Sequence, residues 1–193
     1  MAPLTIGLTG GIAAGKSEAL AAFSRLGAAT LSSDAVVHEL LDSEPLVGRL
    51  VERWGPEVAP EGAIDRNRIG ELVFADPEQL TWLERQIHPL VGERIGSWLA
   101  DLPAEAEIAV IEVPLLFESG MERAFDTTVA IVTEDKVRRE RAAARGHALV
   151  DEREARQLAQ HEKAERADHT VANDGSVDDL ERALSALIAR LRR

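Results

Sequence analysis

The stretch Leu4-Thr5-Ile6-Gly7-Leu8-Thr9-Gly10-Gly11-Ile12-Ala13-Ala14-Gly15-Lys16-Ser17 decides how the rest of the chain reads. Its first six residues are an apolar run of strand length, and from Gly10 to Ser17 it matches G-x-x-x-x-G-K-[ST], the P-loop pattern. The chemistry explains the spacing. Glycines let the backbone turn so that several N–H groups converge on one phosphate chain, Lys16 reaches the β and γ oxygens, and Ser17 offers an oxygen to Mg²⁺. A helix expected from Ser17 to about Leu26 starts at the phosphates, where its unsatisfied N–H groups and dipole add to the attraction. A strand before the pattern and a helix after it favour a nucleoside triphosphate site over a merely structural glycine turn. Gly11, Ile12, Ala13, Ala14, Gly15, Lys16, Ser17 and Glu18 are the expected nucleotide contacts, with Ser17 the metal-side residue.

Composition narrows the partners. With 193 residues, 45% of them hydrophobic, the chain has enough material for one substantial core. No apolar run approaches a membrane span, and the first residues lead straight into a strand, so a cytoplasmic protein without membrane contact is expected. The absence of cysteine excludes disulfides, thiolate zinc sites and thiol catalysis. A net charge of −12 opposes adhesion to nucleic acid. One segment runs against that balance. Lys136, Arg138, Arg139, Arg141 and Arg145 stand against the single acid Glu140, a local +4 that leaves −16 on the remainder. Two readings are open for it: a solvated helix face, or a basic lid that meets phosphates.

Five apolar runs read as strands, at 4–9, 28–32, 108–113, 128–133 and 169–172. Alternation with helical patterns implies a parallel sheet covered on both faces. Further helices are expected over 135–145, 151–167 and 177–191. In the last of these Val177, Leu180, Leu184, Leu187, Ile188 and Leu191 recur at helical spacing and predict a buried stripe. The interval 33–102 is too long for one crossover and reads as a helical insertion that builds a second substrate's pocket. The expected class is therefore an α/β three-layer P-loop NTPase fold: a five-stranded parallel sheet with a helical substrate-binding insertion and a lid. Its core comprises 1–32, 103–135 and 167–193, with the lid at 136–166.

Outside the loop, several residues carry chemistry. Asp34 follows the second strand, where an acceptor hydroxyl would meet the γ-phosphate; it is either a helix N-cap or the group that takes the hydroxyl proton. His38 lies one turn further on the same face. His88-Pro89 is expected to interrupt a helix, with proline fixing a turn. Glu112, at the end of the third strand, either faces solvent or is a Mg²⁺-associated carboxylate. Pro114, Leu115, Leu116 and Phe117 leave the sheet beside the expected site and either pack in the core or form an apolar ligand wall.

Taken in order, Leu8-Thr9-Gly10-Gly11-Ile12-x-x-Gly15-Lys16-Ser17, Asp34 with His38, His88-Pro89-Leu90, Val113-Pro114-Leu115-Leu116-Phe117-Glu118, the arginine-rich segment and Ala167-Asp168…Asn173-x-Gly175 resemble the dephospho-coenzyme A kinase family over nearly the whole chain. The resemblance implies phosphoryl transfer from ATP, with Mg²⁺, to the ribose 3′-hydroxyl of dephospho-coenzyme A. It implies Lys16 on the phosphates, Asp34 as base, Arg141 as the lid cation, and Arg138, Arg145 and Asn173 among the ATP contacts. Arg138 and Arg139 rival Arg141 for the lid role. Asp34, His38, His88 and the segment from Pro114 to Phe117 fall on the acceptor side, and a monomer or weak homo-oligomer is expected. The chain departs from the family pattern in four places. Ala13 replaces a frequent glycine, acceptable where φ is negative. Ser32 and Glu112 each stand where aspartate is common, and His161 takes the place of a glutamine after the lid. A kinase for another small alcohol or a nucleoside monophosphate is the nearest competitor. A GTPase switch would need D-x-x-G and N-K-x-D turns, and the sequence has neither.

Overall fold

The structure is a computed structural model that describes residues 2–144 and 157–192. Arg145 and the first part of the helix expected over 151–167 lie outside those residues. The described chain divides into two compact units, one formed by Met1–Ser32 with Leu102–Arg193, the other by Ser33–Asp101.

The first unit is built on five parallel strands among the described residues: β1 (Leu4–Gly10), β2 (Ala29–Ser32), β3 (Ile108–Glu112), β4 (Thr127–Val132) and β5 (His169–Ala172), in the spatial order β2-β3-β1-β4-β5. Strand alternation sorts the side chains of β1. Ile6 and Leu8 are fully buried among Ala19, Ala22 and Phe23 of helix α1 (Lys16–Arg25) and Leu180, Leu184 and Leu187 of the C-terminal helix (Val177–Leu191). Gly7 and Thr9 point the other way. A Cβ on Gly7 would come within 2.8 Å of the Phe125 ring and 3.2 Å of Leu116, so glycine lets both lie against the sheet. Register sets Leu8 and Ser32 beside Glu112 and Gly10 beside Ile131, which aligns the carboxyl ends of four strands on one rim. That rim is where parallel α/β sheets bind ligands.

The C-terminal helix matches its expected bounds because its start is chemically marked. Ser176 accepts from the Asp179 N–H, and the Asp179 carboxylate accepts from the Ser176 N–H in return. Its three fully buried leucines contribute about 1.5–3 kcal/mol each.

The second unit is helical: α2 (Ser33–Leu41), α3 (Glu44–Trp54), two single turns at Pro56–Val58 and Pro60–Gly62, α4 (Arg66–Ala75) and α5 (Pro77–Ala100). Trp54 and Trp82 meet edge to face with centroids 5.1 Å apart, Arg53 lies 5.4 Å over the Trp82 ring, and the Trp54 indole donates to Gln79.

Two expectations need correction here. His88-Pro89 does not break a helix, since both residues lie inside the 24-residue α5. Leu83, Ile87, Val91 and Ile95, four residues apart, bury one stripe along its length. Pro89 and Arg85, whose carbonyl loses its helical partner, lie on the exposed face, and the buried stripe carries the helix past the proline. The helix expected through 167 begins only at Gln160 among the described residues, as α7 (Gln160–Arg166), after α6 (Asp135–Ala144). Residues 157–159 are not helical because their amides are committed elsewhere: Leu158 N–H to Glu118, and Ala159 N–H to Glu162. The C-terminal helix is accordingly α8. Among the described residues no helix is long and apolar enough to cross a membrane.

The rim opposite the strands' carboxyl ends is clasped by two carboxylates. Asp126 accepts from both the N–H and the hydroxyl of Thr5 at 2.8 Å, and Asp168 does the same with Thr128, also at 2.8 Å. Asp126 is held below the unperturbed 3.8 chiefly by the Thr5 N–H, and Asp168 chiefly by the Thr128 hydroxyl. Because each folded value lies below the unfolded one, the stabilisation is complete above about pH 4 and is lost as pH falls through the lowered folded values. Asp168→Ala should cost about 1–3 kcal/mol in urea unfolding at pH 7. The double substitution Asp126→Asn, Asp168→Asn should flatten the stability loss below about pH 4 that the wild type shows in the same measurement.

Candidate active site

The P-loop closes where three strictly local demands meet. A Cβ on Gly10 would lie 2.4 Å from the Ile131 carbonyl oxygen, so only glycine lets β1 pass β4 and turn. Gly15, at φ +94°, precedes the first residue of α1 and supplies no side-chain cap. The helix therefore begins without a side-chain cap on its N–H groups, the condition for holding an anion. Ala13 has φ +61° and is the one non-glycine residue with positive φ among the described residues. This corrects the condition under which alanine was acceptable: the loop takes the left-handed conformation here, at a cost of about 1–2 kcal/mol to a residue with a Cβ.

Lys16 lies across the loop, its Nζ donating to the carbonyls of Gly10 (3.1 Å) and Gly11 (3.0 Å). Ser17 is exposed on the first turn of α1, where its hydroxyl is open to a cation. No cluster of three or more His, Cys, Asp or Glu side chains suited to a metal occurs among the described residues. The Ser17 hydroxyl could hold Mg²⁺ together with phosphate and water oxygens, the usual company of that ion. The Glu18 carboxylate turns to Arg25 at 3.0 Å, so only its backbone N–H remains to serve a phosphate.

Asn173, buried just past β5, sets the loop's other wall. Its Nδ2 donates to the Ala14 carbonyl at 2.9 Å and would stand 2.1 Å from a Cβ on Gly15. Its own carbonyl accepts from Arg141 Nη1 at 2.8 Å, and Arg141 Nη1 also lies 3.3 Å from the Thr133 hydroxyl. That nitrogen is 3.9 Å from where a Gly15 side chain would begin. Arg138, one turn earlier on α6, instead lines a cavity of about 620 Å³ together with Gly11, Ile12, Gln157, Gln160 and His161. Arg139 is exposed. The two inward arginines are three residues apart, the spacing that puts them on one helix face.

Gln160 shows no motif in the sequence, yet it is part of this wall. Its side-chain amide accepts from Thr133 N–H (3.0 Å) and donates to Thr133 C=O (2.8 Å), and it packs on Gly11 at 3.4 Å from a notional Cβ. Only the folded chain brings a residue 27 positions away onto the end of β4.

Glu112 is 7% exposed at the end of β3, which removes its solvent-facing reading. Leu116 is fully buried and Phe117 nearly so, hence core residues in this structure, whereas Leu115 is exposed. In the helical unit, Asp34 sits exposed inside the first turn of α2, which begins at Ser33, so it is not the helix cap. His38 follows one turn later and His88 lies on the exposed face of α5, the helix against which α2 packs.

A helix N-terminus without a side-chain cap behind a glycine turn, a lysine across it and two arginines from α6 define a P-loop phosphotransferase. The dephospho-CoA kinase family model matches residues 4–179. A dephospho-CoA kinase of Symbiobacterium thermophilum is 40% identical over 179 residues, covering 90% of this chain and 75% of that protein. A crystal structure from Thermus thermophilus superposes with a TM-score of 0.85 at 36% identity over 99% of both chains, and dephospho-CoA kinase from Campylobacter jejuni with 0.72 at 26% over 97% and 96%. The chain belongs to the dephospho-CoA kinase family.

Replacing Ala13 by glycine should raise stability by up to about 1 kcal/mol, the relief of left-handed strain less the added freedom of the unfolded chain. Chemical denaturation of the two proteins in parallel checks this, and a loss of stability would show that Ala13 is not strained.

Proposed function

We propose that this chain transfers the γ-phosphate of ATP to the ribose 3′-hydroxyl of dephospho-coenzyme A, giving coenzyme A and ADP. The observation that carries the reading is the loop itself: Gly15, Lys16 and the start of α1, which no side chain caps, walled by Asn173 and Arg141, within a chain that matches the family over nearly its whole length. The loop N–H groups and Lys16 bind the phosphate chain. Arg141, held by the Asn173 carbonyl, keeps further N–H donors for the charge that spreads over the transferring group. Mg²⁺, when bound at Ser17, neutralises phosphate charge.

In the transfer, the acceptor oxygen forms a bond to the γ-phosphorus as the bond to the β,γ-bridging oxygen breaks. The hydroxyl proton goes to Asp34, an exposed carboxylate two residues beyond β2. The acceptor-side assignments of His38, His88, Pro114 and Leu115 rest on the family resemblance. Leu116 and Phe117 serve that side through packing. We assign a cytoplasmic, monomeric or weakly associating enzyme, and the net charge of −12 supports the assignment of no nucleic-acid partner.

The test is ADP release over a panel of hydroxyl acceptors. Dephospho-coenzyme A should be strongly preferred; preference for a nucleoside monophosphate or another small alcohol would replace the reading with the competing one. Lys16→Ala should lower kcat by about 10²–10³ with the fold intact by circular dichroism. Asp34→Asn should lower it by about 10²–10⁴ with ATP affinity unchanged, since asparagine holds the hydroxyl but cannot take its proton. Arg141→Ala should raise the KM for ATP and lower kcat together, as expected of a residue that binds the phosphates in the ground state and more tightly in the transition state.

A further inference from the structure

Lys163 is fully buried, although a lysine side chain rarely leaves solvent. Burial pushes its ammonium below the usual lysine range, against the pull of Glu118. Its Nζ donates to the Pro114 carbonyl at 2.5 Å and lies 3.0 Å from Glu118 Oε1. The same carboxylate oxygen accepts from Leu158 N–H at 2.8 Å, and the same Pro114 carbonyl accepts from the Thr9 hydroxyl at 3.2 Å. Through these two acceptors one cation is linked to three pieces of chain: the end of β1 before the P-loop, the exit of β3, and the segment that enters α7.

A buried ion pair is a poor device for stability alone, since apolar residues of like volume generally serve as well or better. What lysine adds over methionine is direction. It grips a carbonyl two residues beyond Glu112 and fixes the path of the turn at 114–118. That turn buries Leu116 and Phe117 and leaves Leu115 facing out at 38% exposure. We infer that Lys163, paired with Glu118, is a positioning residue that holds this turn so that Leu115 meets the apolar part of the acceptor. The inference rests on the reading of the acceptor as dephospho-coenzyme A.

The pair separates two roles that a single substitution would confuse. Lys163→Met alone strands the Glu118 carboxylate in the interior and should lower the melting temperature. Adding Glu118→Met removes the stranded charge and should restore most of it. If the pair only supports the fold, the double variant is kinetically wild type. If it positions the turn, the double variant shows a KM for dephospho-coenzyme A raised about tenfold, with the KM for ATP within twofold of wild type.

Initial rates with each substrate varied in turn decide between them. A folded double variant with unchanged acceptor KM overturns the positioning role while leaving the kinase reading intact. Failure of the wild type to phosphorylate dephospho-coenzyme A overturns both. Should the double variant not fold, Thr9→Val, which removes only the hydroxyl on the same carbonyl, decides alone. A smaller rise in acceptor KM supports the role, and an unchanged value overturns it.

Discussion

The hydrogen bond from the Asn173 amide to the Ala14 carbonyl is the contact on which the site's geometry depends. A loop that offers its N–H groups to a ligand must turn its carbonyls inward, and an inward carbonyl needs a donor. Asn173 is that donor, and its position follows from the sheet: its N–H continues the ladder onto Val132 at 2.8 Å, so β5 and β4 fix its place. Its own carbonyl then receives Arg141 and Thr133. Asn173 thus supports the loop from behind and joins it to the arginine helix.

Much of the fold was legible because it is written in periodicities. The five strands are apolar runs, α8 has its stripe and its Ser176–Asp179 box, and the P-loop has its spacing. The errors came where a local rule met a tertiary compensation. Proline reads as a break, but at Pro89 the orphaned carbonyl is on the wet side of a helix whose buried stripe holds both halves together. Alanine at position 13 reads as negative φ, yet the loop between Gly10 and Gly15 is closed from both ends and forces the backbone over.

The site was legible to the extent that it is contiguous. Gly11 to Ser17 follow one another, so spacing marks them, whereas the basic cluster at 136–145 marks Arg138 and Arg141 without separating them from Arg139. Gln160 and Lys163 reach the site across 27 and 49 positions, with nothing beside them in sequence to mark the destination. Leu115 and Leu116 are adjacent and chemically alike, and only the fold turns one outward and the other into the core.

The two rims of the sheet divide the work. At the amino ends, Asp126 and Asp168 tie turns to strands through bonds to Thr5 and Thr128. At the carboxyl ends, polar groups are held from behind: Asn173 behind the loop, Gln160 behind Thr133, Lys163 behind the turn at Pro114. An acidic chain that must bind a polyanion cannot rely on its overall field. It places a few cations, each oriented by a buried partner, against backbone N–H groups whose carbonyls are already satisfied. Fixed dipoles of this kind need little reorganisation when charge moves during phosphoryl transfer, and that economy explains why so many of the site's supports are buried hydrogen bonds rather than surface charge.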